Sequence, residues 1–179
     1  MPIVLDPAKN FVTIQIMYIE QKDEKHGNSR FVFINNREEF ENWKEKGYLT
    51  SDEVKEQSAI PEETKPGMPK KPTIDPKKVI NILRTWWSGM TWKEQNIIYA
   101  RCLRQTTDVE GRIRSEIDMI SFRDLKLKSC LKKWDLKNDA GQDISISDGM
   151  IDNLYPEVAQ ELLNTFEKIT EATGDELKN

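Results

Sequence analysis

The stretch that decides the fold begins Thr91-Trp92-Lys93-Glu94-Gln95-Asn96 and continues through Phe122-Arg123-Asp124-Leu125-Lys126-Leu127-Lys128-Ser129-Cys130-Leu131-Lys132-Lys133-Trp134-Asp135-Leu136 to a last segment, Pro156 to Ile169. Thr91, with Glu94 three residues later, has the pattern of a capping box at a helix start. The later segments repeat apolar residues at helical spacing and place charges on the remaining faces. These features predict a compact helical module without catalytic chemistry, which favours a binding or assembly role over an enzyme.

The bulk composition indicates a globular chain with unusually much charge. The chain has 179 residues, which favours one domain with room for a small second one. Hydrophobic residues make up 37% and charged residues 32%, so the chain has fewer apolar side chains than an ordinary globular domain. We therefore expect long solvated helix faces and at least one flexible segment.

Targeting signals and cysteine usage indicate where the chain works. No apolar run approaches the roughly 20 residues that a membrane helix needs. The start, Met1 to Pro7, lacks the basic and long apolar regions of a secretory signal. Cys102 and Cys130 lie in helical patterns, which predicts buried free thiols. We expect intracellular synthesis in a reducing compartment.

The net charge of −4 is unevenly distributed along the chain. Residues 1–100 hold 15 basic and 15 acidic side chains, residues 101–137 hold 10 and 6, and residues 138–179 hold 2 and 10. The simplest interpretation is that the basic middle and the acidic end face each other in the fold or in a homo-oligomer, or are solvated. Binding of a polyanion by the basic middle is the alternative.

The N-terminal third predicts a small β-hairpin and helix unit. Residues 11–19 and 31–34 are rich in β-branched and aromatic side chains, which indicates two strands joined by a long charged tip. Asn36 can cap a helix over residues 37–46 that Gly47 ends. A second capping box, Thr50 to Glu53, predicts another short helix that ends near Ser58.

A proline-rich segment divides the chain. From Pro61 to Pro76 it holds five of the eight prolines and almost nothing apolar, which is typical of an extended linker. We predict a hairpin and helix unit over 1–58, a linker over 59–75, a helical domain over 76–174 and a polar tail over 175–179. The predicted fold class is α+β and mostly α, with the N-terminal unit joined to a C-terminal helical bundle.

Four helices are predicted within the C-terminal domain. Asp75-Pro76 is a start signal for the first, over 76–88, which meets the second, over 91–104, in a tight corner. Residues 108–111 form a turn, and Ser121 to Asp124 begins a third helix, which runs past Trp134 and ends at 138–141. Residues 143–147 alternate like a very short strand, and Ser147 can cap the turn that follows. Pro156 opens the last helix, which Gly174 ends.

The sequence offers no recognisable catalytic, metal or cofactor site. The single histidine, His26, lies at the predicted hairpin tip without a partner at triad or metal spacing, and neither cysteine has metal-ligand spacing. The glycines are scattered, so no phosphate-binding loop is present. Asp139, Gly141 and Asp143 match a calcium loop only in part and indicate an ordinary turn. We predict a protein that is not an enzyme and holds no metal or cofactor.

Two surfaces are candidates for binding partners. Five lysines and Arg123 cluster in and around one predicted helix and could contact nucleic acid, although the same helix uses Trp134 for packing. Tryptophans at the predicted corner and an apolar stripe on the last helix could anchor a protein partner, unless they close the core. The candidate partner-binding residues are Trp86, Trp87, Met90, Trp92, Leu162, Phe166 and Ile169.

The order of signals from Met90 to Ile169 resembles that of tail assembly chaperones and related small tail proteins of long-tailed bacteriophages. The matching parts are residues 91–96 at a helix start, an acidic residue before a helix with Leu127, Cys130-Leu131 and Trp134-Asp135-Leu136, the turn at 139–141, and 151–158 entering the last helix. The resemblance covers somewhat under half the chain. The N-terminal hairpin and the proline linker depart from it.

This resemblance implies a protein that binds the tape-measure protein during tail assembly and helps to recruit tail-tube subunits, in the cytoplasm of the infected host cell. The departures leave open a virion structural component of the tail or the head-to-tail connector. A phage regulator that binds nucleic acid is a further alternative. We expect no contact with membranes, and a homo-oligomer stays open.

Overall fold

The structure, a computed structural model, describes residues 11–22, 29–58, 75–138 and 141–176, with side chains through residue 170. In these ranges the chain forms six helices and seven strands. They group into two compact units: Gln15–Leu83, called the first unit, and Met1–Ile14 with Arg84–Asn179, called the second unit. The prediction of a mostly α fold with a C-terminal helical bundle is wrong, because the fold mixes helices with an extended β-sheet.

Strands and helices are intermixed along the chain. The first six are β1 (Phe11–Lys22), β2 (Ser29–Ile34), α1 (Arg37–Glu45), β3 (Leu49–Thr50), α2 (Ser51–Ser58) and β4 (Val79–Ser88). The others are α3 (Trp92–Cys102), β5 (Leu103–Thr107), β6 (Ile113–Ile117), α4 (Met119–Cys130), β7 (Leu131–Trp134), α5 (Asp148–Asp152) and α6 (Pro156–Glu176). One sheet has the strand order β2-β1-β4-β3, with β7 also pairing with β4, and β5 with β6 form a separate two-stranded sheet.

The first unit confirms the predicted hairpin and helices. β1 and β2 pair antiparallel, with Met17 opposite Ile34. Asn36 caps α1, since its side-chain oxygen accepts a hydrogen bond of 2.8 Å from the Glu39 N–H. A small core of Ile19, Ile34 and Ile80 is covered by partly buried side chains, among them Phe40 and Trp43 of α1. The predicted hairpin tip, with His26, lies outside the described residues.

Residues 79–88 are the main correction to the predicted secondary structure, since they form strand β4 and not part of a helix. Leu83, Thr85 and Trp87 are all buried at alternate positions, which is the spacing of one face of a strand. Asp75 and Pro76 serve a turn instead of a helix start: the Asp75 side chain accepts from the Lys77 N–H at 2.9 Å. The predicted corner of two helices is therefore a junction of strand and helix.

The second unit has its core between β4, β7 and the helices. Trp87 is fully buried and stacks on Phe166 of α6, with ring centroids 4.6 Å apart. Its indole N–H donates to Thr85 Oγ1 at 2.7 Å, and that hydroxyl donates to the Ile14 carbonyl at 3.2 Å. The buried indole N–H of Trp87 and the buried hydroxyl of Thr85 thus both have partners. Leu162, which is also fully buried, confirms that α6 packs through its predicted stripe.

The remaining elements confirm some predicted boundaries and correct others. The capping box of α3 is present, but α4 is capped by Asp118 and not by Ser121. α4 ends at Cys130, where the chain turns into β7, so the predicted helix through Trp134 is wrong there. Ser147 caps α5 as predicted, whereas residues 143–147 form only one isolated bridge, from Asp143 to Lys137. α6 continues past Gly174 to Glu176.

The predicted division into 1–58, 59–75, 76–174 and 175–179 stays a prediction. Residues 59–74, which form nearly all of the predicted linker, lie outside the described residues, as do 139–140 of the predicted turn and 177–179 of the predicted tail. Residues 79–83 belong by packing to the first unit and residues 84–88 to the second.

Candidate protein-binding surface

A β-hairpin that the sequence did not predict stands between α3 and α4. Its connection runs from Asp108 to Arg112, closed by hydrogen bonds from the Asp108 N–H to the Arg112 carbonyl and from the Gly111 N–H to the Asp108 carbonyl, both 3.0 Å. Gly111 has a φ of 78°, a conformation that suits glycine in three-residue hairpin loops. The turn predicted at 108–111 is confirmed, and the strands on either side of it are the new finding.

The hairpin has one charged face and one uncharged face. On the uncharged face Leu103 lies opposite Ile117, Gln105 opposite Ser115 and Thr107 opposite Ile113, so three apolar side chains share with three polar ones a face that we call the hairpin face. The other face carries Arg104 opposite Glu116 and Thr106 opposite Arg114. All ten strand residues are exposed. An isolated two-stranded hairpin is only marginally stable in water, so uncovered apolar side chains on one indicate a surface made for a partner.

Ion pairs hold the charged face together. Arg104 is ion paired with Asp118, Arg114 lies 3.4 Å from Asp108, and Arg112 lies 2.7 Å from Glu110. Hydrogen bonds from the hydroxyl and the N–H of Ser121 lower the pKa of the Asp118 carboxyl, and the nearby guanidinium adds to that effect. Exposed pairs contribute little stability individually.

Further apolar side chains next to the hairpin are exposed. Met119 and Ile120, in the first turn of α4, are 58% and 85% exposed, and Leu103 and Ile113 of the hairpin face are 51% and 71% exposed. Scattered exposed apolar residues are normal, but several along one short segment are typical of interaction sites. The segment from Leu103 to Ile120 is therefore the best candidate binding surface of the second unit.

The structure separates the predicted partner-binding residues into three groups. Trp87, Leu162 and Phe166 are buried in the core of the second unit. Trp86, Met90 and Ile169 are half-buried. Trp92, at the start of α3, is 77% exposed and is the tryptophan of this set that is most accessible to a partner.

A groove of about 410 Å³ lies beside Trp86 within the second unit. Lys133 Nζ lies 5.1 Å from the centroid of the Trp86 ring, which is within the range of a cation–π contact. The remaining lining comes from 132–135 and 143–146. The Trp134 indole N–H donates to the Ile144 carbonyl at 2.6 Å and holds the two sides together. The groove is a second, smaller candidate contact area.

Part of the predicted basic cluster is paired with carboxylates within the fold, whereas Lys132 contacts the Ser129 carbonyl and Lys133 the Trp86 ring. Lys126 Nζ lies 2.8 Å from Glu167, and Arg123 lies 3.6 Å from the same carboxylate. Lys128 contacts both Asp152 and Asp124. Its hydrogen bond to Asp152, and next the one to Asp124, raises the pKa of the Lys128 ammonium group. This confirms the interpretation that the basic middle and the acidic end face each other. It leaves the cluster less charge to offer a polyanion.

The two cysteines lie in the core of the second unit as free thiols, as predicted. Burial raises the pKa of the Cys130 thiol to about 11. A thiol that stays protonated is a poor nucleophile and a poor metal ligand. Cys130 is thus a packing residue.

The first unit contains a cavity of about 720 Å³ between β1, the start of β4 and α2. Its one acidic lining residue, Glu20, accepts a hydrogen bond of 2.6 Å from the Ser29 hydroxyl and lies 3.9 Å from Lys22 Nζ. Across the described ranges, no group of three or more histidine, cysteine, aspartate or glutamate side chains is arranged to hold a metal ion.

Comparison of the chain with protein-family models, curated proteins and solved structures finds no match. None of the helices in the described ranges has the length and apolar character needed to cross a membrane.

Proposed function

We propose that this protein is a non-enzymatic bacteriophage tail assembly factor, a chaperone that binds the tape-measure protein and tail-tube subunits in the cytoplasm of the infected cell. The observation that carries the proposal is the hairpin face, which presents the apolar side chains of Leu103, Ile113 and Ile117 on a hairpin whose ten strand residues are all exposed. The resemblance at residues 91–96 and 151–158 supplies the identity of the clients.

The surface fits an apolar, helical client. Tape-measure proteins are long and helical, and a helix with an apolar stripe could lie across the hairpin face between Leu103 and Ile113. On the opposite face of the hairpin, Arg104 and Arg114 are ion paired with carboxylates of the same chain. Exposed Met119 and Ile120 would extend the contact along the client.

The nucleic-acid regulator loses support from these contacts, because Arg123, Lys126 and Lys128 are all paired with carboxylates. A regulator would bind DNA or RNA at low salt and release it steeply as salt rises. The tail assembly factor should show no such binding under the same titration.

Co-purification tests the proposal. The full chain should be co-expressed with segments of a candidate tape-measure protein, and a complex should be recovered on the tagged chain. The variant Ile113→Ser should lose the complex, whereas Thr106→Ser on the charged face should keep it. No complex with any segment would contradict the proposal. Immunoblots of purified virions then separate a chaperone, absent from particles, from a structural component, present in them.

A further inference from the structure

The outer edge of β6 has a sequence that complements itself. The strand reads Ile113-Arg114-Ser115-Glu116-Ile117, in which the basic and acidic residues flank a central serine symmetrically. β6 pairs with β5 on one side, and the sheet of these two strands contains no third strand within the described residues. One long edge of β6 is therefore open.

The hydrogen-bond pattern of the hairpin shows which backbone groups this edge presents. The Asp118 N–H donates to the Cys102 carbonyl at 2.9 Å, and the Asp108 N–H donates to the Arg112 carbonyl at 3.0 Å. In an antiparallel pair, bonded and non-bonded residue pairs alternate. The even-numbered pairs are thus the bonded ones, and the N–H and C=O groups of Ile113, Ser115 and Ile117 point away from β5.

We infer that this edge joins two copies of the chain through antiparallel β6 strands centred on Ser115. Ser115 then lies opposite Ser115 of the second copy in a hydrogen-bonded pair, and Ile113 lies opposite Ile117. Arg114 lies opposite Glu116 in a non-bonded pair, where side chains approach most closely. The inference concerns the edge of the hairpin and stands whichever client the hairpin face binds.

Charge selects this register over its neighbours. In a register centred on Arg114, the Arg114 side chains of the two copies would lie opposite each other. In a register centred on Glu116, the two Glu116 carboxylates would lie opposite each other. Like charges directly opposite each other destabilise a sheet. Glu116 has no ion-pair partner in the part of the chain that the structure describes, so its carboxylate is available to Arg114 of the second copy, whose guanidinium would then contact Glu116 in addition to Asp108 of its own chain.

The open edge of β5 lacks this complementarity. Self-pairing about Gln105 would place Leu103 opposite Thr107 and Arg104 opposite Thr106, which matches neither charges nor apolar side chains. Pairing through β6 instead gives a four-stranded sheet, in which both copies' hairpin faces lie on one side. A sheet of that size can be stable where a lone hairpin is marginal.

Sedimentation equilibrium of the full chain, without any client, tests the inference. The wild type should form dimers, and Ser115→Pro should not, because proline removes an outward N–H that no bond within the hairpin uses. Gln105→Pro removes the equivalent N–H from the β5 edge and should leave the dimer intact. Wild type that stays monomeric into the high micromolar range, or Ser115→Pro that dimerises equally well, would overturn the inference.

Charge exchange adds a test that does not depend on proline. Arg114→Glu should weaken dimerisation by about tenfold or more, and combining it with Glu116→Arg should restore it. Circular dichroism checks that each variant is folded. Equal dimerisation of the single and double variants would refute the predicted register.

A cysteine crosslink tests the proposed pairing of the two β6 strands directly. Hydrogen-bonded antiparallel pairs have Cα atoms about 5.5 Å apart, within the range of a disulfide. Ser115→Cys should therefore oxidise to a covalent dimer much faster than Gln105→Cys, which is equally exposed. Equal oxidation rates of the two cysteine variants would count against the proposed pairing of the two β6 strands. Dimerisation without client binding would retain this inference and reject the proposed function, and the reverse result would do the opposite.

Discussion

Arg104 of β5 is ion paired with Asp118, the residue that caps helix α4. The same carboxylate accepts hydrogen bonds from the Ile120 N–H at 3.1 Å and from the Ser121 hydroxyl at 2.7 Å. One side chain thus connects the base of the exposed hairpin to the start of a helix whose later residues are in the core. Asp118 therefore anchors the base of the hairpin to the start of α4.

Replacing Asp118 should loosen this connection. Asp118→Ala removes both the cap and the ion pair and should lower the urea midpoint of unfolding, since loss of a side-chain cap destabilises a helix start. Asp118→Asn keeps an oxygen that can cap and should lose much less. Equal midpoints for the alanine and asparagine variants, measured by fluorescence, would show that the cap does not matter.

The stability of the fold should fall in acid. Hydrogen bonds from the Thr91 backbone N–H and hydroxyl lower the pKa of Glu94, and those from Lys44 and then from the Thr50 N–H lower the pKa of Glu53. The unfolded chain, with carboxyl pKa values near about 4, then binds more protons than the folded chain. These contributions are present above that pH and are lost as the pH falls through the lowered, folded-state values.

Urea unfolding at pH 7, 5 and 3.5 checks this sign. The free energy of unfolding should decrease with each step toward acid, most steeply below about pH 5. Glu94→Gln keeps the capping box without a titrating group, so its decrease should be shallower. If the free energy of unfolding of Glu94→Gln falls as steeply toward acid as that of the wild type, Glu94 contributes nothing to the pH dependence of stability.

Substitutions of the two tryptophans on either side of the junction between β4 and α3 should change the stability of the fold by very different amounts. Trp87→Ala removes a fully buried ring stacked on Phe166 and should cost about 3 to 5 kcal/mol. Trp92→Ala, at a side chain that is 77% exposed, should change stability by less than about 0.5 kcal/mol. Chemical denaturation measures both, and a large loss for Trp92→Ala would mean that its ring is covered in solution.

The thiols should be inert in the native protein. Cys102 and Cys130 are each 1% exposed, and the pKa of Cys130 is raised to about 11. A thiol-specific chromogenic disulfide should therefore react slowly with the folded chain and quickly, with two equivalents, in denaturant. Fast reaction of the native protein would contradict the burial of these residues.

Local signals in the sequence predicted what depends on neighbours in the chain. The capping residues Asn36, Thr91 and Ser147, the hairpin of β1 with β2 and the apolar stripe of α6, though not its burial, were all foreseen, because each rests on side chains a few positions apart. The strand β4 was missed. Its residues are apolar on both faces, so they match helical and strand spacing equally well, and only pairing with distant strands decides.

The candidate surface was missed for a related reason. Leu103 and Ile117 meet only because the hairpin pairs them, and five-residue strands with many polar side chains give a weak signal. The turn at 108–111 was found, but Ile113 and Ile117 beside it are four residues apart, a spacing that fits a helix as well as a strand. Of the residues predicted to bind partners, the core takes Trp87, Leu162 and Phe166, since a buried stripe and an interface stripe look alike in sequence.

The most direct test of the account is the binding of the full chain to tape-measure segments with the hairpin face altered. Leu103→Ser combined with Ile117→Ser exchanges two exposed apolar side chains, so the circular dichroism spectrum should match that of the wild type. Recovery of the client should fall at least about tenfold, while Thr106→Ser on the charged face serves as a matched surface control. Undiminished recovery of the client by the folded double variant would contradict the claim that this hairpin is the binding surface.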